Sequence, residues 1–164
     1  MKKIGIWALF IIVLYVLQTS VLPLAGWREI SADLLLVAIV SVSFYYGNLW
    51  GAFLGFMAGL LQDLATGTFF GVDIFSKMLI GYACGTFSRN VFKEQALLPV
   101  ISVIIASAAN YFIILLFMIL LGYRFDWMQQ LSGLLLPMMM YNAVFAFPIY
   151  FCVQRLSAWL NVKQ

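Results

Sequence analysis

Asp63 and Lys77 are charged residues in or next to apolar stretches, where an ionised side chain is costly and usually functional. The expected topology puts both at similar depth near the outer face, so they could form an ion pair. Asp73 competes for Lys77 because it precedes the lysine by four residues, one turn of a helix. Asp63 therefore has three possible roles: a hydrated helix end, half of a structural ion pair, or a carboxylate that binds a ligand or a proton.

A glycine stands at every fourth position before Asp63, at Gly47, Gly51, Gly55 and Gly59. Glycine destabilises a helix, so a helical row of glycines indicates that another backbone comes close. In lipid such small-residue stripes drive helix association. The row, with the adjacent Phe56, predicts an interface, either between helices of this chain or with a partner helix.

Two polar residues, Gln18 and Asn110, interrupt other apolar runs. In membrane helices such side chains usually form hydrogen bonds between helices. Pro137 and Pro148 fall within the last apolar run, where we expect local breaks or kinks.

The residue inventory argues against an enzyme and predicts no cofactor and no metal. Histidine is absent, which removes the commonest general base and the usual metal ligand. The glycine spacing is helical and does not match a phosphate-binding loop. Asp63 alone among the aspartates is expected at membrane depth, so an intramembrane aspartyl pair is missing.

The composition is that of an integral membrane protein. Only 9% of the 164 residues are charged, 65% are hydrophobic, and the mean hydropathy is +1.05. At roughly 20 residues per span this length holds five or six transmembrane helices and no soluble domain. The pI of about 9.0 needs no nucleic-acid partner, because the basic residues fall at the ends of the spans.

We predict an all-α fold, a bundle of six transmembrane helices in one integral membrane domain over 1–164. The expected spans are about 4–22, 32–46, 48–65, 72–88, 97–121 and 131–156, and Ser31 or Asp33 is expected to cap the second. Six spans put six basic residues on one side and only Arg28 and Arg124 on the other. By the positive-inside rule, both termini are then cytoplasmic.

The first half of the chain contains several short motifs: Asp33–Leu34, Tyr46–Gly47, Gly55–Phe56, Gly59–Leu60 with Asp63, and Gly81–Tyr82. In this order and spacing the sequence resembles the rod shape-determining protein MreD family. The resemblance covers most of the chain and is strongest between about Ala32 and Tyr82. Ala32 is a departure, because the family usually has proline before the aspartate.

The resemblance implies a non-enzymatic scaffold of the bacterial cell-elongation machinery, a multi-pass protein of the plasma membrane. Such a protein would act in rod cell shape and peptidoglycan synthesis by binding the bitopic protein MreC. Through MreC it would associate with MreB, RodA and a penicillin-binding transpeptidase.

The family is also similar in fold to the substrate-binding subunits of energy-coupling-factor transporters. The alternative function is therefore membrane-embedded capture of a small molecule such as a vitamin. A short loop of about ten residues between the first two spans, too short for a lid, favours the scaffold.

Overall fold

The computed structural model describes residues 2–25, 32–67, 70–88, 98–123 and 131–162, and these segments contain helices and no strand. The all-α prediction is thus confirmed for this part of the chain. We number the six longer helices α1 (Lys2–Ser20), α2 (Leu34–Tyr46), α3 (Asn48–Thr66), α4 (Val72–Ser88), α5 (Leu98–Leu120) and α6 (Leu136–Val162). A short turn, Leu22–Ala25, follows α1, and a π-helical turn, Leu131–Leu135, precedes α6.

The helix bounds follow local sequence signals. Gly47, at a φ of 85°, separates α2 from α3, and Gly67, at a φ of 63°, ends α3 in the left-handed region that glycine tolerates. Pro137 lies two residues after the π-helical turn, so the regular α-helix is interrupted close to this proline. The helix continues through Pro148, so the expected break there is not formed.

Helix α2 forms the centre of the molecule. All ten residues from Leu34 to Ser43 are buried, and α2 contacts each of the other five helices. A helix that is apolar on every side belongs either in lipid or in a core. Here the other helices surround it. The hydroxyls of Ser41 and Ser43 donate hydrogen bonds to backbone oxygens one turn earlier in α2.

The other helices bury one face each. On α1 the buried face carries Trp7, Ile11 and Leu14, and the indole of Trp7 meets the ring of Tyr46 edge-on at 5.7 Å. Large apolar side chains cover the outer faces of α1, α3, α4, α5 and α6, among them Leu49 and Phe87. This distribution suits a bundle with hydrocarbon around it.

Among the described residues, three helical segments are long and apolar enough to cross a membrane: Asn48–Thr66, Leu98–Leu120 and Gly133–Leu160. Two shorter apolar helices are Ile4–Ser20 and Leu34–Tyr46. Helix α4, whose 17 residues include Asp73 and Lys77, falls outside both groups. Of the charged residues on which the orientation prediction rests, Arg28, Arg89, Lys93, Arg124 and Lys163 lie outside the described residues.

Candidate functional site

Lys77 lies in the interior at one end of the bundle, and its side chain is 0% exposed. Its Nζ is 3.0 Å from Oδ2 of Asp33 and 3.0 Å from Oδ1 of Asp73. A buried ammonium is tolerated only when it is paired and hydrogen-bonded. The two carboxylates provide this, one from the residue before α2 and one from the preceding turn of α4.

Asp33 links the ion pair to the central helix. Its Oδ1 accepts a hydrogen bond from the backbone N–H of Leu36 at 3.0 Å, so Asp33 is the N-cap of α2, one of the two caps predicted from the sequence. Its Oδ2 faces Lys77. One carboxylate therefore caps α2 and neutralises a lysine of α4.

Side chains from other helices complete the hydrogen bonding at the start of α2. The backbone N–H of Asp33 donates to Oδ1 of Asn142 on α6 at 2.7 Å. The amide of Asn142 in turn donates to the hydroxyl of Ser107 on α5 at 2.8 Å. The backbone N–H of Leu35 donates to Oε1 of Gln18 on α1 at 3.3 Å. Gln18 thus makes the kind of interhelical bond that its sequence context suggested.

The beginning of α2 would otherwise expose unpaired N–H groups inside the protein, which costs free energy. Groups from α1, α4 and α6 meet there, and α5 supports the asparagine. We call this set the buried polar cluster; its members are Gln18, Asp33, Asp73, Lys77, Ser107 and Asn142.

Asp63 has a different partner from the one expected. Its Oδ2 accepts hydrogen bonds from the backbone N–H groups of Gly71 at 2.9 Å and Ile74 at 3.1 Å, and its Oδ1 accepts one from Asp73 at 3.2 Å. Asp63 is 2% exposed. The carboxylate therefore caps the start of the next helix, α4, where the helix dipole favours a negative charge.

The prediction of an ion pair between Asp63 and Lys77 is thus wrong, because each residue has other partners. Lys77 lies one turn further into α4 and reaches the carboxylates of Asp33 and Asp73, whereas Asp63 faces the N–H groups at the beginning of α4. The hydrated helix end is also excluded as a description of Asp63, because the residue is buried.

The glycine row forms the contact between α3 and α4. A Cβ atom at Gly51 would overlap the backbone of Gly81, and one at Gly55 would overlap the backbone of Lys77. A Cβ at Gly59 would lie 2.5 Å from the Cα of Ile74 and 2.6 Å from the carbonyl oxygen of Asp73. These three glycines therefore let the two backbones touch.

Gly47 and Phe56 have other places in the structure. A Cβ atom at Gly47 would meet no atom within 4 Å, and this glycine serves the turn between α2 and α3 through its positive φ, although its backbone carbon would lie 2.6 Å from a Cβ at Gly85. Phe56 is 42% exposed on the outer side of α3. Of the predicted interface residues, Phe56 is thus the one that a partner could contact.

Helix α4 has matching glycines that were not predicted as part of the interface. A Cβ at Gly81 would overlap the backbone of Gly51, and one at Gly85 would overlap the backbone of Asn48. The signal was present in the four-residue spacing of Gly81 and Gly85. We call the surface formed by Gly51, Gly55, Gly59, Gly81 and Gly85 the glycine contact.

Asn110 is 2% exposed on α5, and its Oδ1 has no hydrogen-bond partner in the described part of the chain. Asn142, in contrast, is the asparagine that joins helices. Neither Asn142 nor Ser107 was predicted from the sequence, although Asn142 is as isolated among apolar residues as Asn110 is.

An all-helical bundle with long apolar helices, apolar outer faces and buried charges that pair with one another is a protein of transmembrane character. The family model of the rod shape-determining protein MreD matches residues 1–159. The chain belongs to the MreD family, whose members act in rod shape determination and are not a known enzyme family. Comparison with curated proteins gave no match, and comparison with solved structures gave none either.

Proposed function

We propose that this protein is a non-enzymatic scaffold of the cell-elongation machinery, a six-span protein of the bacterial plasma membrane with both termini in the cytoplasm. The observation that carries the proposal is the match to the MreD family over 1–159. In this role it binds MreC, and through MreC it acts with MreB, RodA and a penicillin-binding transpeptidase in peptidoglycan synthesis.

The chemistry of the buried polar cluster supports a scaffold over a ligand-binding subunit. Its charged and amide groups are engaged with each other: Lys77 with Asp33 and Asp73, and Asn142 with Asp33 and Ser107. A capture site for a small molecule needs convergent polar groups in a concave, largely preformed pocket. Here the polar groups are used to hold helices together.

The outer side of α3 is the surface that we propose for the MreC contact. The glycine contact occupies the inner side of this helix, so the glycines are not available to a partner. Phe56 is 42% exposed and Phe53 is 40% exposed on the outer side. Aromatic side chains of this kind are frequent anchors of protein interfaces.

Affinity purification in mild detergent tests the proposal. We expect MreC to copurify with the tagged protein. We expect Phe56→Ala to lower MreC recovery, and Phe112→Ala, which removes a 50% exposed phenylalanine from α5, to leave recovery unchanged. Recovery of an ATPase pair or a bound vitamin in place of MreC would instead identify an energy-coupling-factor subunit. Equal MreC recovery from both variants would remove Phe56 from the interface while leaving the scaffold role intact.

A further inference from the structure

We propose that Lys77 gains its two carboxylate partners at different stages of membrane assembly. Asp73 neutralises Lys77 while α4 enters the membrane beside α3, and Asp33 is added when α2 docks. This order of assembly does not depend on the proposed partner.

Helix α4 carries one counter-ion for Lys77 within its own sequence. This helix falls outside the group that is long and apolar enough to cross a membrane, and Lys77 is its most costly residue for insertion. Asp73 precedes Lys77 by four residues on the same helix, and its Oδ1 lies 3.0 Å from Nζ. An acidic residue one turn before a lysine is the favourable order for a helical ion pair. This partner is present as soon as α4 forms.

The pairing of α3 with α4 is likewise local. The glycine contact brings the two backbones together along most of their length, and Asp63 of α3 caps the start of α4. These contacts lie within residues 48–85 and require no other helix. The α3–α4 hairpin therefore carries its own packing, its own cap and its own counter-ion for Lys77.

Asp33, the second counter-ion, belongs to a different part of the chain. Its contact with Lys77 requires α2 to lie against α4. The same carboxylate caps α2, and the Asp33 backbone is held by Asn142 of α6. The contact between Asp33 and Lys77 therefore forms only when α2 occupies the centre of the bundle.

The test separates insertion of α4 from docking of α2 in the full-length chain. The free cysteines, Cys84 and Cys152, are first replaced by alanine. Insertion is measured with single cysteines at positions 66 and 90, on either side of α4. The chain is synthesised in a cell-free system with membrane vesicles, and each cysteine is labelled with an impermeant maleimide before and after permeabilisation. Cysteines on opposite sides report an inserted α4.

Docking is measured by cross-linking cysteines at positions 45 and 150 with a bifunctional methanethiosulfonate reagent. The rings of Tyr45 on α2 and Tyr150 on α6 have centroids 5.8 Å apart, so a cross-link there reports that α2 has taken its place in the bundle. Both readouts use nascent chains, so they do not require a variant to accumulate in cells.

We expect Asp73→Asn to reduce the inserted fraction of α4, because Lys77 then enters the membrane without its counter-ion. Asp73→Glu keeps a carboxylate on the same turn and should restore insertion. Asp33→Asn should leave insertion unchanged and reduce the 45–150 cross-link, since asparagine still caps a helix but carries no charge. The proposal is overturned if Asp33→Asn impairs insertion as strongly as Asp73→Asn, or if Asp73→Asn leaves insertion unchanged.

Discussion

Replacement of Gly59 by alanine should destabilise the bundle although alanine is the better helix former. The new Cβ would lie 2.5 Å from the Cα of Ile74 and 2.6 and 2.7 Å from the carbonyl oxygen and carbon of Asp73. Non-bonded carbon atoms pack best at about 3.5–4.0 Å. Relief of the overlap thus requires α3 and α4 to separate by about 1 Å at this level, and backbone atoms cannot turn aside as a side chain can.

The separation would also reach the cap on α4. The hydrogen bond from the backbone N–H of Asp73 to Asp63 is already 3.2 Å long, and a further increase of about 1 Å would break it. Overpacking costs about 1–3 kcal/mol, and a hydrogen bond to a charged group contributes about 1.5–3 kcal/mol. Alanine returns about 1 kcal/mol of helix propensity. We therefore expect the free energy of unfolding to fall by about 1.5–5 kcal/mol.

Reversible unfolding of the purified protein in mixed micelles, followed by tryptophan fluorescence, measures this loss. Gly5→Ala is the matched control, because a Cβ at Gly5 meets nothing within 4 Å. It should be neutral or should stabilise α1 by up to about 1 kcal/mol. Equal unfolding free energies for Gly59→Ala and Gly5→Ala would refute the assignment of Gly59 to a close backbone contact.

Three further substitutions test the remaining parts of the structure. Asp63→Asn should destabilise the α3–α4 pair by about 1–3 kcal/mol in the same unfolding assay, because an amide has one acceptor oxygen for three N–H groups. An unchanged free energy of unfolding would mean that the cap contributes nothing. Asn142→Leu should cost about 1–3 kcal/mol and increase hydrogen exchange at the N–H of Asp33, which loses its acceptor, whereas unchanged exchange would refute that bond. Phe56→Ala should leave the unfolding free energy within about 0.5 kcal/mol of wild type, since half-exposed surface positions tolerate truncation; together with lower MreC recovery, this result would place Phe56 at an interface and not in the core.

Helix positions could be predicted from the sequence because apolar runs and Gly47 mark where helices begin and end. The burial of α2 could not. A helix such as Leu34–Tyr46, apolar on every side, has the same sequence pattern whether lipid or protein surrounds it. Its central place follows only from the arrangement of the other five helices.

Of the two ion pairs in the buried polar cluster, only the one between neighbouring turns of α4 could be predicted. The contact between Asp73 and Lys77 follows from a spacing of four residues, whereas the contact between Asp33 and Lys77 joins residues far apart in sequence. The sequence left Asp63 with three possible roles, and the backbone N–H groups that it contacts carry no sequence signal as its partners. Asn142 was indistinguishable from Asn110 until the helices were in place.

The bond between the backbone of Asp33 and the side chain of Asn142 spans 109 residues. Contacts so distant in sequence raise contact order and delay the last stage of folding. During synthesis α2 emerges long before α6, so its first N–H groups await an acceptor that is made near the end of the chain. In a chain truncated after α5, the beginning of α2 would lack the Asn142 acceptor. In such a product the polar start of α2 would be accessible to quality-control proteases, whereas in the finished protein it is buried.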